Sequence, residues 1–170
     1  MEINEIKSYL VFRVGNEDYA ANAGKVVRIL EMQPITAIPR APKYVKGVIN
    51  LMGQVLPIID TRIKLDMEPK EPDSQTCIII IEIAKGDTEI ETGIIVDSVQ
   101  NVIEVEKENI KKSPNFGFDA DVDYIAGMIE NDNKFIVLLD IDNIFSTAEV
   151  ISINDIADSD FGSSIAPAEW

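Results

Sequence analysis

A chain of 170 residues, 46% apolar and 26% charged, is long enough to bury roughly 70% of the surface its unfolded form exposes, so it needs no staples to fold. A formal net charge of -15 argues against nucleic acid and anionic membrane surfaces, both of which call for clustered lysine and arginine. With no histidine and one cysteine, the chain lacks the commonest general base and cannot form an internal disulfide, a zinc set or a CxxC redox pair.

Leu10, Phe12 and Val14 alternate with Arg13 and Ser8 in the period-two pattern of a strand with one face toward a core. Gly15-Asn-Glu-Asp18 turns the chain, and Asn22 is placed to cap a short, weak helix running through Val26 and Ile29. The prolines of Ile35-Thr-Ala-Ile-Pro-Arg-Ala-Pro42 then enforce an extended, exposed crossing. In Gly47-Val-Ile-Asn-Leu-Met-Gly-Gln-Val-Leu-Pro-Ile-Ile-Asp-Thr-Arg62, two apolar runs flank a polar elbow at Gly53 and Gln54, which reads as strand, tight connection, strand. Pro57 cannot donate to a ladder, so its strand is expected at a sheet edge or a bulge. From Asp66 to Gln75 the composition shifts to Glu, Asp, Pro and Lys, a connector that divides the sequence near 66–76. Cys77 opens an apolar strand-like run, the setting of a buried structural thiol. Residues 1–150 are expected to form a single domain of two subdomains, with 151–170 a helix remnant and a polar, acidic tail. No leader pattern and no apolar stretch near 18 residues is present, so the expected location is the cytoplasm, without membrane insertion.

The second half repeats the first. At an offset of 80 positions Gly47 meets Gly127, Ile49 meets Ile129, Ile58-Ile59 meets Leu138-Leu139 and Asp60 meets Asp140, in one order: glycine, apolar strand, polar elbow, apolar strand, aspartate. A shorter match sets Val26, Ile29, Leu30, Glu31, Ile35 and Pro39 beside Val99, Val102, Ile103, Glu104, Ile110 and Pro114. Short strands joined by turns in both halves predict two small antiparallel barrels. Asp60 and Asp140 are expected to satisfy turn amides.

Asp119, Asp121, Asp123 and Glu130 mimic the spacing of a calcium loop, but Tyr124 stands where the sharp turn requires glycine, so the stretch reads as a solvated acidic loop. No GxxxxGK[ST] or GxGxxG cradle is present. A small hydrolase using clustered carboxylates has only the abundance of acidic residues in its favour.

Tyr9-Leu-Val-Phe12, Tyr19, Val26 to Ile29, Ile35-Thr36, Pro39, Pro42 and above all the Gly47 to Asp60 run resemble the CheW family of bacterial chemotaxis coupling proteins, over roughly Ser8 to Phe145. The resemblance implies a mainly β fold of two intertwined five-stranded SH3-like barrels with short helices. It also implies an adaptor with no catalytic activity and no cofactor or metal, monomeric in isolation. Such an adaptor bridges the cytoplasmic tip of chemoreceptors to the regulatory domain of the histidine kinase CheA, in arrays at the inner membrane. Carried over by position, the receptor-facing residues are Val26, Ile29, Val48, Ile49, Asn50, Met52 and Val99, and the kinase-facing residues are Lys111 and Phe116. Gly47, Gly53 and Gly127 hold backbone shape. A CheW-like module in a motility or biofilm kinase pathway, or a specialised paralogue, is the alternative. Two departures stand out: Met52 replaces the family's usual arginine, and Arg28 its usual acidic residue, so a pair between them is lost.

Overall fold

The structure is a computed structural model that describes residues 6–111 and 124–158. Its strands are β1 (Ile6–Val14), β2 (Glu17–Asn22), β3 (Val26–Glu31), β4 (Val45–Leu51), β5 (Gln54–Asp60), β6 (Cys77–Lys85), β7 (Thr88–Val96), β8 (Ser98–Glu106), β9 (Ile110–Lys111), β10 (Ile125–Asn131) and β11 (Lys134–Leu139), with helices α1 (Thr61–Lys64) and α2 (Thr147–Asp158). They form two curled sheets, β8-β1-β2-β11-β10-β9 and β3-β6-β7-β5-β4. After β2 the chain leaves its own sheet so that β3 pairs with β6, and after β7 it returns so that β8 pairs with β1. Each barrel therefore takes strands from both halves of the sequence, which makes the two SH3-like barrels intertwined.

The halves match in detail. Lys46 and Ala126 are the extra residues of equivalent bulges in β4 and β10, and Val27 and Gln100 those of equivalent bulges in β3 and β8. A Cβ on Gly47 would stand 2.1 Å from the Thr36 carbonyl oxygen, and one on Gly127 2.6 Å from that of Lys111. Only glycine permits either approach, and on the first of them Thr36 and Val48 exchange two 2.9 Å backbone hydrogen bonds. Asp60 accepts from the Arg62 and Ile63 amides, and Asp140 from the Asp142 amide.

Among the described residues, three apolar cores result. Tyr9, Val11, Ile129, Ile136 and Leu138 fill one barrel, and Ile49, Leu56, Ile58, Ile78 and Ile80 the other. Between the sheets lies the largest core, which takes Leu10, Phe12 and Val14 from β1, Ile79, Ile81 and Ile83 from β6, and Val150 and Ile153 from α2. Alternation along β1 and β6 thus serves two cores at once. That is why Tyr9 and Val11 are buried as well as Leu10, Phe12 and Val14.

The structure corrects several expectations. The helix through Val26 and Ile29 is absent: Asn22 caps only a 3₁₀ turn at Ala23–Lys25, accepting from the Gly24 amide at 2.8 Å. Val26, Val27 and Ile29 are β-branched and continue as β3. Pro57 is not on an edge strand, because β5 lies between β7 and β4. Its carbonyl faces β7 and accepts from Thr92 Oγ1. The missing N–H points the same way, one residue before the ladder to β7 begins at Ile58. The barrels are also not purely antiparallel, since β5 with β7 and β11 with β2 are parallel. The sheet containing β1 carries a sixth strand, β9. Finally, α2 straddles residue 150 and is part of the shared core. Phe116 and Asp119 to Asp123 lie outside the described residues.

Candidate functional site

Val26 pairs with Ile81, and Ile29 with Ile79. Directly opposed residues share a face, so both side chains lie on the side of the sheet that carries the shared core. Across the repeat, Val99 pairs with Phe12 and Val102 with Leu10, again on the shared-core side. Val26 and Val99 pack partly buried against that core. Ile29 and Val102, at equivalent positions further along their strands, are 46% and 57% exposed. The core between the barrels therefore reaches the surface along two apolar margins, Val26 to Ile29 and Val99 to Val102. Val27, pushed out by its bulge, adds exposed apolar area to the first. Val102 is missing from the sequence-derived site, although its match to Ile29 in the internal repeat marked it.

The other proposed receptor-facing residues separate into two groups. Val48 and Ile49 are buried, and alternation turns Ile49 into a barrel interior. Asn50 and Met52 are exposed near its tip. Met52 and Gly53 have φ of 51° and 88°, the two positive values of a tight two-residue hairpin turn. Asn50 Oδ1 braces the turn by accepting from the Gly53 amide at 2.8 Å. Asp132 and Asn133 occupy the equivalent turn between β10 and β11 with φ of 50° and 66°. Asp and Asn tolerate that conformation; methionine does so poorly, and Met52 is 81% exposed. Arg28 is exposed on β3 and makes no ion pair among the described residues.

Lys111, at the end of β9, donates to Glu130 Oε2 at 2.8 Å and lies 5.5 Å from the centre of the Phe135 ring. The hydrogen bond and the lysine's charge hold the Glu130 carboxyl below its usual range. Phe135 is half exposed and was not anticipated. Its neighbour Ile136 is buried in the barrel, so alternation alone turns Phe135 outward. Burial raises the pKa of the Cys77 thiol, against a smaller lowering by a hydrogen bond from the backbone of Val99. That makes it a poor nucleophile.

The family model of the CheW-like domain matches residues 8–149. The chemotaxis protein CheW of Klebsiella aerogenes is 30% identical over 153 residues, which cover 90% of this chain and 90% of the relative. That of Bacillus subtilis is 34% identical over 140 residues, covering 82% and 86%. The crystal structure of the scaffolding protein TtCheW from Thermoanaerobacter tengcongensis superposes with a TM-score of 0.74 at 27% identity, over 84% of this chain and 94% of that one. The repeated barrel plan, the exchanged strands and these matches along nearly the whole chain agree: it belongs to the CheW-like family.

Proposed function

We propose that this chain is a chemotaxis coupling adaptor, which joins the helical cytoplasmic tip of chemoreceptors to the regulatory domain of a histidine kinase of the CheA type by binding alone, in the cytoplasm at receptor arrays. The observation that carries this reading is the pair of apolar margins at which the shared core reaches the surface. A receptor helix can lay apolar side chains against such a surface. Lys111, with Phe135 beside it and Phe116 further along the chain, belongs to the kinase-facing side of this reading. Two modest contacts then gain strength by being used together in an array. The reading is tested by mixing the purified chain with a CheA regulatory domain and with a receptor-tip helical hairpin, and measuring hydrodynamic size. Complex formation with both is expected, and no change with either at high micromolar concentration overturns it. Ile29→Asp and Val102→Asp are expected to abolish only the receptor complex.

Met52 and Arg28 favour a specialised partner set within this function. An exposed thioether on a strained turn suits an apolar or adaptable contact. A competition pull-down with Met52→Arg combined with Arg28→Glu is expected to shift receptor preference; unchanged preference sinks the specialisation.

A further inference from the structure

We propose that Arg62 with Asp97, and Lys25 with Asp142, are positioning residues that hold the two apolar margins in place: two equivalent clasps built with opposite polarity. In the first, Asp97 sits at the crossover between β7 and β8 and accepts from Arg62 Nε at 3.0 Å and Nη2 at 2.5 Å. The same carboxylate accepts from the Gly15 amide, at the end of β1, at 2.8 Å. In the second, Asp142 follows β11 and accepts from Lys25 Nζ at 2.9 Å and from the Ala84 amide, near the end of β6, at 2.8 Å.

The pairing registers make the two sites equivalent. Ile58 lies opposite Gly93 as Leu138 lies opposite Ala20. Gly93 in turn faces Ile80 as Ala20 faces Val11. Counted onward from Val11 and Ile80, Gly15 corresponds to Ala84. The offset of 80 sets Arg62 on Asp142, and the match of Val26 with Val99 sets Asp97 on Gly24, beside Lys25. One clasp thus has its carboxylate at the crossover and its cation after the barrel strand; the other has them reversed. In both, the carboxylate also takes the amide at the equivalent hairpin end, so each ties segments of both sheets together. All four side chains are at most one-third exposed, where such charge-assisted contacts fix geometry better than at an open surface.

Their place in the chain gives them their effect. Val26 directly follows Lys25, and Val99 is two residues after Asp97. Each margin therefore starts at a clasp, and releasing the clasp frees the first residues of the strand that carries the margin. This rests on the docking reading only for its consequence in binding, because the positioning itself is measurable without a partner.

The experiment places spin labels on Ile29→Cys and Val102→Cys in the full chain with Cys77→Ala, and reads the distance distribution by double electron–electron resonance. Asp97→Asn and Asp142→Asn are each expected to broaden and shift it. Arg62→Asp combined with Asp97→Lys gives the first clasp the polarity of the second and offers a carboxylate to the Gly15 amide; it is expected to restore the parent distribution. Unchanged distributions in both asparagine variants overturn the proposal, as does an inverted pair as broad as Asp97→Asn. Should Asp97→Asn fail to fold, the more exposed second clasp decides alone: Asp142→Asn with a parent-like distribution overturns the proposal. In the unlabelled chain, unchanged receptor-hairpin binding by an asparagine variant whose labelled form shows a broadened distribution indicts the docking reading instead.

Discussion

Gly47 shows how one residue type answers two demands, a φ of 155° and a carbonyl oxygen where a Cβ would stand. Gly47→Ala is expected to cost about 2–4 kcal/mol, since backbone rather than a yielding side chain must move. Gly53→Ala, with nothing within 4 Å of its added methyl group, should cost only about 1 kcal/mol for its positive φ. Urea midpoints of the two variants check the difference, and equal losses would refute the close-approach argument. Met52 presents the opposite case, a side chain kept on a turn that disfavours it. Met52→Asn should stabilise the fold by about 0.5–1 kcal/mol by supplying a residue suited to this turn. If Met52 touches the receptor, the same variant binds it more weakly, and a gain in midpoint with unchanged affinity removes Met52 from the interface. The sequence made Gly47 and Gly127 recognisable as partners through their offset. What it left out was the reason, because the close approach involves Thr36 and Lys111, which only the folded chain brings there.

Among the elements, α2 is where the expected boundary and the fold part most clearly. Val150 and Ile153 are buried in the shared core, while Ile151 is half exposed. Lys64 also ties the helix start to α1, donating to Glu149 at 2.8 Å while lying over the rings of Tyr44 and Phe145. Ile153→Ala should therefore cost about 2–4 kcal/mol, and Ile151→Ala less than about 0.5 kcal/mol. Equal thermal shifts in the two variants would show that α2 is peripheral. The helix was hard to place in advance because its apolar side rests on β5 and β7, strands distant in sequence. Val26 to Ile29 form a strand instead of the expected helix for a similar reason. An N-cap at Asn22 is real but introduces only one 3₁₀ turn; pairing with β6, far along the chain, decides the rest. Strands set by local alternation, such as β1 and the β4–β5 hairpin, were legible, whereas the exchange of β3 and β8 was not, since nothing local chooses which sheet a strand joins.

For the molecule as a whole, charge is the property that couples the folded core to its surroundings. With no histidine and 30 acidic residues, stability should vary little from neutral pH down to about pH 5, and the two part-buried carboxyls held by ion pairs, Asp97 and Glu149, change it below that. Burial pushes the Asp97 carboxyl up, but hydrogen bonds from Arg62 and the Gly15 amide outweigh it and hold the group below its ordinary 3.8. For Glu149 burial is likewise outweighed by Lys64 and Ser146, which hold it below 4.5. A carboxyl with a depressed folded pKa contributes stability that is complete above its unfolded value and is lost as pH falls through the folded one. Loss of these two contributions therefore begins near pH 4.5 with Glu149 and continues below 3.8 with Asp97. Relief of self-repulsion acts in the other direction, because the net charge of -15 shrinks as carboxylates protonate. That relief ends near the isoelectric point of about 4.3, below which the net charge turns positive and grows. Denaturant unfolding between pH 3 and pH 7 is expected to show a plateau followed by a fall, and Asp97→Asn should lower the plateau and flatten the fall below pH 4. An identical acid slope in the variant would mean that Asp97 does not couple the two barrels to pH.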